Sequence, residues 1–203
     1  MNTRSSHVGS TVRHDILEAA LNEFYVAGFH GANMRTIAKS AGCSAANVYN
    51  HFEGKSSLLV EILRTASDDQ FTVTRNALRK VGSDPAERWR AAVAAHAHFV
   101  ATHPRECLVA NTELRYLDEL DRKRVVGSRD AQEQLFVEIA REGVDQGLFA
   151  VRRTSEAVTA VLTMCAGIPL WFRADGPLSA REVAEDYGDL ALNLMGYSGS
   201  ARG

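Results

Sequence analysis

From about residue 11 onward the apolar positions recur at helical spacing almost without a break, and no period-two run bounded by turn residues points to a strand. In the first segment Val12, Ile16, Ala20 and Phe24 form one stripe, with Leu17 and Leu21 beside it, and the stripe closes at Ala27-Gly28-Phe29. Later boundaries carry their own capping chemistry. Asp84-Pro85-Ala86-Glu87 combines an N-cap, a proline at the first helical position and an acid at the third. Ser179-Ala180-Arg181-Glu182 is a capping box. Pro104 ends the helix containing Trp89 to Ala101 and starts another, while Gly143 and Gly147 mark the fraying end of the helix through Leu135, Phe136 and Ile139. Two further apolar helices are read at about 154–173 and 179–196. The pattern predicts an all-α chain of about nine helices.

Residues 33–55 stand apart because their apolar stripe is short and their second segment is small and polar. Asn33 caps a first helix whose Met34, Ile37, Ala38 and Ala41 follow helical spacing, and Gly42 permits the positive φ that ends it. Ser44 caps the next segment. Ala45, Ala46 and Asn47 fill its first turn, where small side chains let a helix approach base edges closely. Val48 and Phe52, four apart, share the face that must be buried, which leaves Tyr49, Asn50 and His51 free to donate hydrogen bonds to phosphate oxygens. Lys55 then opens a third helix and adds its ammonium to an N-terminus that already attracts anions. The arrangement predicts a helix-turn-helix DNA reader. The bland alternative is a helix-Gly-helix hairpin with no nucleic-acid role.

Residues 11–60 resemble the N-terminal domain of the TetR family of transcriptional repressors. The resemblance rests on Ala27-Gly28-Phe29, Ile37-Ala38, Ala41-Gly42 and above all Val48-Tyr49-Asn50-His51-Phe52-Glu53-Gly54-Lys55. It implies that Tyr49, His51 and Lys55 contact phosphates, that Ser44 to Asn47 meet bases, and that Arg35, Thr36 and Asn50 complete the DNA-binding set. Asn33 stands where Thr or Ser is usual and Cys43 where Val is usual; Asn caps as well as Thr, and Cys behaves as a small hydrophobe.

Composition fits this frame. The 203 residues are 45% hydrophobic and 24% charged, enough for a real core in one or two domains. The net charge of −2 is unequally shared: residues 1–60 carry five basic against four acidic side chains, a net of +1, which leaves −3 for the rest. So weak a positive charge implies few phosphate contacts per subunit, and affinity gained by doubling as a dimer. No apolar run spans a membrane and the N-terminus leads into no signal-type apolar region, so a cytoplasmic protein is expected. Cys43, Cys107 and Cys165 are odd in number and far apart, against a disulfide frame or a zinc knuckle. The expected organisation is an N-terminal arm at 1–10, a DNA-binding domain at 11–57, an effector-binding and dimerisation bundle at 58–197, and a flexible tail at 198–203.

The bundle needs functions of its own. Val158, Val161, Leu162, Ile168, Leu170, Trp171 and Phe172 on one helix, and Val183, Tyr187, Leu190, Leu192, Leu194 and Met195 on the other, occupy more than one face. Family resemblance places a homodimer seam there; an intrachain core is the alternative. His103-Pro104-Arg105-Glu106, Asn111 to Leu117, and Leu170-Trp171-Phe172-Arg173 before Gly176-Pro177-Leu178-Ser179 resemble the subgroup of TetR-like regulators that respond to acyl-CoA thioesters. Such a ligand wants an apolar slot, an aromatic for its adenine and arginines for its phosphates. Phe99, Asn111 and Cys165 are candidates for the slot, Trp171, Arg173 and Arg115 for the nucleotide; a multidrug or other hydrophobic effector is the alternative. No cofactor, metal or catalytic residue is expected. His96 and His98 point apart on a helix, and nothing sets Cys107 or Cys165 beside a histidine at readable spacing, as a thioester-cleaving enzyme would require. A sequence-indifferent architectural DNA binder would be more basic.

Overall fold

The computed structural model of the chain describes residues 4–199, with side chains described from residue 11. Among these residues the nine α-helices are α1 (Arg4–Gly31), α2 (Met34–Ser40), α3 (Ala45–His51), α4 (Lys55–Leu78), α5 (Pro85–Thr102), α6 (Pro104–Glu113), α7 (Glu119–Asp145), α8 (Thr154–Ala166) and α9 (Ala180–Leu194). Short 3-10 turns lie at Leu114–Tyr116 and Ile168–Leu170, and there is no strand among the described residues. The all-α expectation therefore holds. α1 begins at Arg4, ahead of the expected start near residue 11; of the arm expected at 1–10 and the tail expected at 198–203, residues 1–3 and 200–203 lie outside the described residues.

The chain divides into two compact units: the described residues up to Ala66 together with Arg105–Val126, and Ser67–Pro104 together with the described residues from Gly127 onward. In the first, Ile16, Ala20 and Phe24 of α1 meet Ile37 and Ala38 of α2, Val48 of α3, and Leu58, Leu59, Ile62 and Leu63 of α4. Val109, Leu117 and Val125 join the same core from far along the chain. The division expected at residue 57 thus falls inside α4, whose first turns bury their apolar stripe with α1 to α3. The second unit packs α5 against α8 and α9, with Trp89 edge-on to Phe136 at 5.7 Å and to Phe149 at 6.2 Å. Gly188 lets α9 close on α5, since a Cβ there would lie 3.1 Å from the Arg90 carbonyl oxygen. Arg90 pairs with Asp189 beside that contact.

Two expected boundaries move. The helix expected over 154–173 stops at Ala166: Gly167 caps it, and Pro169, with no N–H to donate, sits in the 3-10 turn that follows. Gly147, at φ 70°, does end α7 as expected, but Gly143 is buried inside the helix and marks no fraying. A Cβ on Gly143 would stand 2.2 Å from Phe149 Cδ2, and that ring is boxed in by Trp89 and Tyr197. Gly143→Ala gains about 1 kcal/mol of helix propensity but overpacks this contact by more. The expected result is a melting temperature lower by roughly 5 °C, read by thermal unfolding.

Candidate nucleic-acid interface

The reader is built by two caps and a turn. Asn33 Oδ1 accepts the Arg35 N–H at 2.8 Å and so opens α2. Gly42, at φ 67°, turns the chain, and Ser44 Oγ accepts the Asn47 N–H at 3.2 Å to open α3. Val48 and Phe52 are buried beneath α3, while Tyr49 is 56% exposed and Asn50 and His51 stand beside it on the open face. Ser44 and Ala46 are exposed and Ala45 and Asn47 half-buried, so the first turn offers a low profile with one amide side chain. Arg35 and Thr36 are exposed on the first turn of α2. All ten expected DNA-facing residues fall in this unit.

An open cleft of about 1000 Å³ runs beside them, lined by Arg13, Arg35, Tyr49, His51, Lys55 and Arg124 among others. Two of these cations are already engaged: Arg13 pairs with Glu61 at 3.0 Å and Arg124 with Asp121 at 3.0 Å. Lys55 has an internal role that sequence reasoning missed. Its Nζ donates to the carbonyl oxygens of Phe29 at 2.7 Å and His30 at 3.3 Å, and stands 5.0 Å from the centre of the Phe29 ring. An ammonium has three protons, so one remains for the cleft. The contact spans 26 residues, and no spacing rule reaches that far.

The expected effector residues are divided. Asn111 and Arg115 are exposed residues of the first unit, with the Arg115 guanidinium 5.2 Å from the Tyr116 ring. Phe99, Cys165, Trp171 and Arg173 belong to the second. There Phe99 is buried and stacks on His103 at 4.2 Å. Cys165 is fully buried, and burial pushes its thiol up to about 12, so it holds its proton and is no nucleophile. Tyr187 touches one of the four: its ring stacks on Trp171 at 6.3 Å. Arg173 lies on the exposed loop after the 3-10 turn, paired with Asp175 at 2.9 Å.

The second unit also contains a buried polar set absent from the expected list. His96 Nδ1 meets Gln132 Nε2 at 2.6 Å, and the same amide nitrogen donates to Thr74 Oγ1 at 3.4 Å. Since the amide donates, His96 carries its own proton on Nε2. Burial, with the Arg129 charge behind it, holds the imidazole at about 4, so it is neutral at physiological pH. No group of three or more His, Cys, Asp or Glu side chains among the described residues is placed to hold a metal, and no described helix is long and apolar enough to cross a membrane.

Residues 16–62 match the family model for bacterial regulatory proteins of the tetR family, and residues 82–195 match that for the tetracyclin repressor-like C-terminal domain. Over 188 residues the chain is 26% identical to the HTH-type transcriptional repressor KstR2 of Mycobacterium tuberculosis, with 92% of each protein covered. Among solved structures, the TetR family transcriptional regulator PfmR from Thermus thermophilus superimposes with a TM-score of 0.79 at 32% identity, over 88% of this chain and 97% of that one. AibR in complex with isovaleryl coenzyme A and operator DNA shares the fold with a TM-score of 0.78 at 23% identity, over 89% of this chain and 97% of that one.

Proposed function

The chain belongs to the TetR family of bacterial regulatory proteins, and we propose that it is a ligand-responsive repressor: a homodimer that binds a two-fold-symmetric operator and leaves it when a hydrophobic effector, an acyl-CoA thioester, binds its C-terminal bundle. The observation that carries the reading is the face of α3. Tyr49, Asn50 and His51 stand exposed over a buried Val48 and Phe52, at the end of a helix whose first turn is Ala45, Ala46 and Asn47. A polar, low-relief helix of this kind suits the major groove: Ser44 to Asn47 read base edges, while Arg35, Thr36, Tyr49, Asn50, His51 and the remaining Lys55 proton hold phosphates.

The dimer seam is supported by apolar side chains that the second unit leaves uncovered. Leu170 is 79%, Trp171 49%, Leu190 50% and Leu194 40% exposed, and all lie in or next to the 3-10 turn and α9. α9 is apolar on two sides, since Val183, Ala184 and Ala191 are buried as well. A second copy would cover the outer side.

For the effector, support comes from relatives and from the bundle's chemistry. KstR2 is a repressor, and AibR, of the same fold, takes isovaleryl coenzyme A together with operator DNA. Phe99 and Cys165 are buried side chains that an acyl chain would reach only by parting the helices around them, and Trp171 and Arg173 offer an exposed ring and guanidinium for a nucleotide. A ligand that prefers the released state by about 1–3 kcal/mol makes a usable switch, and operator must then weaken that ligand by the same factor. The experiment is to select a duplex from a random pool with the protein, then titrate isovaleryl-CoA, a long-chain acyl-CoA and free CoA by calorimetry with and without it. Tighter acyl-CoA binding in the absence of duplex is expected. Equal affinity in both conditions overturns the switch, and binding of cationic drugs without any acyl-CoA binding overturns the effector class.

A further inference from the structure

α1 does not end cleanly. At Gly28 the backbone takes φ 67° and ψ 172°, which swings the next peptide out of the helical ladder and leaves the Phe29 N–H without a helical acceptor. The acceptor comes from 84 residues away: Glu113 Oε2, at the end of α6, takes that N–H at 2.8 Å. Glu113 is 7% exposed, one of few charged side chains buried among the described residues, so its carboxylate is held inside the unit for this contact. Phe29 is gripped at two further points. Lys55 of α4 binds its carbonyl oxygen, and Tyr116, just after Glu113, stacks on its ring at 5.9 Å with an interplanar angle of 13° and sits edge-on to His30 at 4.5 Å.

The turn so held leads directly to the Asn33 cap and to α2, whose angle to α1 sets where α3 stands. We propose that Glu113 is a positioning residue of the DNA reader: its carboxylate fixes the α1–α2 turn and makes the placement of α2 and α3 depend on the segment Arg105–Tyr116. Glu113 lies within residues 82–195, the stretch matched by the C-terminal family model, yet it packs in the same unit as the reader. A displacement of α6 by a few tenths of an ångström lengthens the Glu113 bond or drags the turn with it. The charge matters as well as the geometry, because a carboxylate acceptor binds an N–H roughly twice as strongly as a neutral one.

The inference rests on the DNA-binding reading, so its test has one arm with DNA and one without. In full-length Glu113→Ala, amide exchange at Phe29 should accelerate, with shifted resonances along Met34–Ser40 and Ala45–His51. Affinity for a duplex selected by the wild type should fall about tenfold, because a freed turn holds α2 and α3 in the competent placement only about a tenth of the time and the apparent Kd rises by that fraction, and affinity for random duplex should fall less. Glu113→Gln keeps an acceptor oxygen without the charge and should recover about half of both effects. Two results overturn the proposal: Phe29 exchange unchanged in Glu113→Ala, or selected and random duplex affinities falling equally with no rescue by Glu113→Gln, which would mark the side chain as core filler. If the wild type selects no duplex, the DNA-binding reading fails, and the exchange arm still decides whether Glu113 places the turn.

Discussion

Leu190→Glu combined with Leu194→Glu is expected to yield a monomer whose affinity for a selected duplex is lower by about a thousand-fold, since one reader keeps only its own half-site. Both leucines lie on the outer side of α9, while the inner side, with Val183, Ala184, Gly188 and Ala191, is closed against α5 and α8. The substitutions therefore leave the intrachain core alone. If the outer side of α9 forms the seam, two-fold symmetry brings four added carboxylates into one interface, and charges buried there without partners cost more than the apolar contacts they replace. Sedimentation gives the mass and fluorescence titration the affinity, with helical circular dichroism as the folding control. A variant that remains a dimer with wild-type affinity would place the seam elsewhere.

Acid should destabilise the wild type through His96 by about 3 kcal/mol between pH 7 and pH 4. The ordinary imidazole value of 6.5 applies to the unfolded chain, while the folded value is held at about 4 by burial. Above pH 6.5 neither state binds the proton and the contribution is complete. As the pH falls, the unfolded chain is protonated first and draws the equilibrium toward itself, until the folded imidazole also titrates near 4. His96→Gln offers an uncharged acceptor to the Gln132 amide, so its stability should lack this part of the slope. Urea unfolding of both proteins at pH 7, 5.5 and 4 measures the difference, and parallel curves would show that His96 is already hydrated in the folded state.

The reader is legible in the sequence because its determinants are local. The Asn33 and Ser44 caps, the Gly42 turn and the Val48–Phe52 face act within a few residues of where they stand, and each takes the form that spacing requires. The same holds for the Asp84 cap of α5 and the Ser179–Glu182 capping box of α9. Local reasoning fails where a side chain is chosen by a distant partner. Gly143 reads as a helix stop because glycine destabilises helices, whereas the deciding fact is the ring of Phe149 lying against it. Lys55 reads as a phosphate ligand because it opens a helix beside the reader, and it also clamps Phe29 and His30.

Sequence by itself determined the all-α class, the capped starts of α2, α3, α5 and α9 and the turn between α2 and α3, because these follow from periodicity and from hydrogen bonds closed over three or four residues. Tertiary structure alone decided that Arg105–Tyr116 belongs to the same compact unit as the reader, that Glu113 captures the Phe29 N–H, and that His96, Gln132 and Thr74 share a buried polar contact. The physical reason is that a buried polar group must find a partner wherever the fold supplies one. That partner is set by which helices lie side by side, and spacing along the chain does not record it.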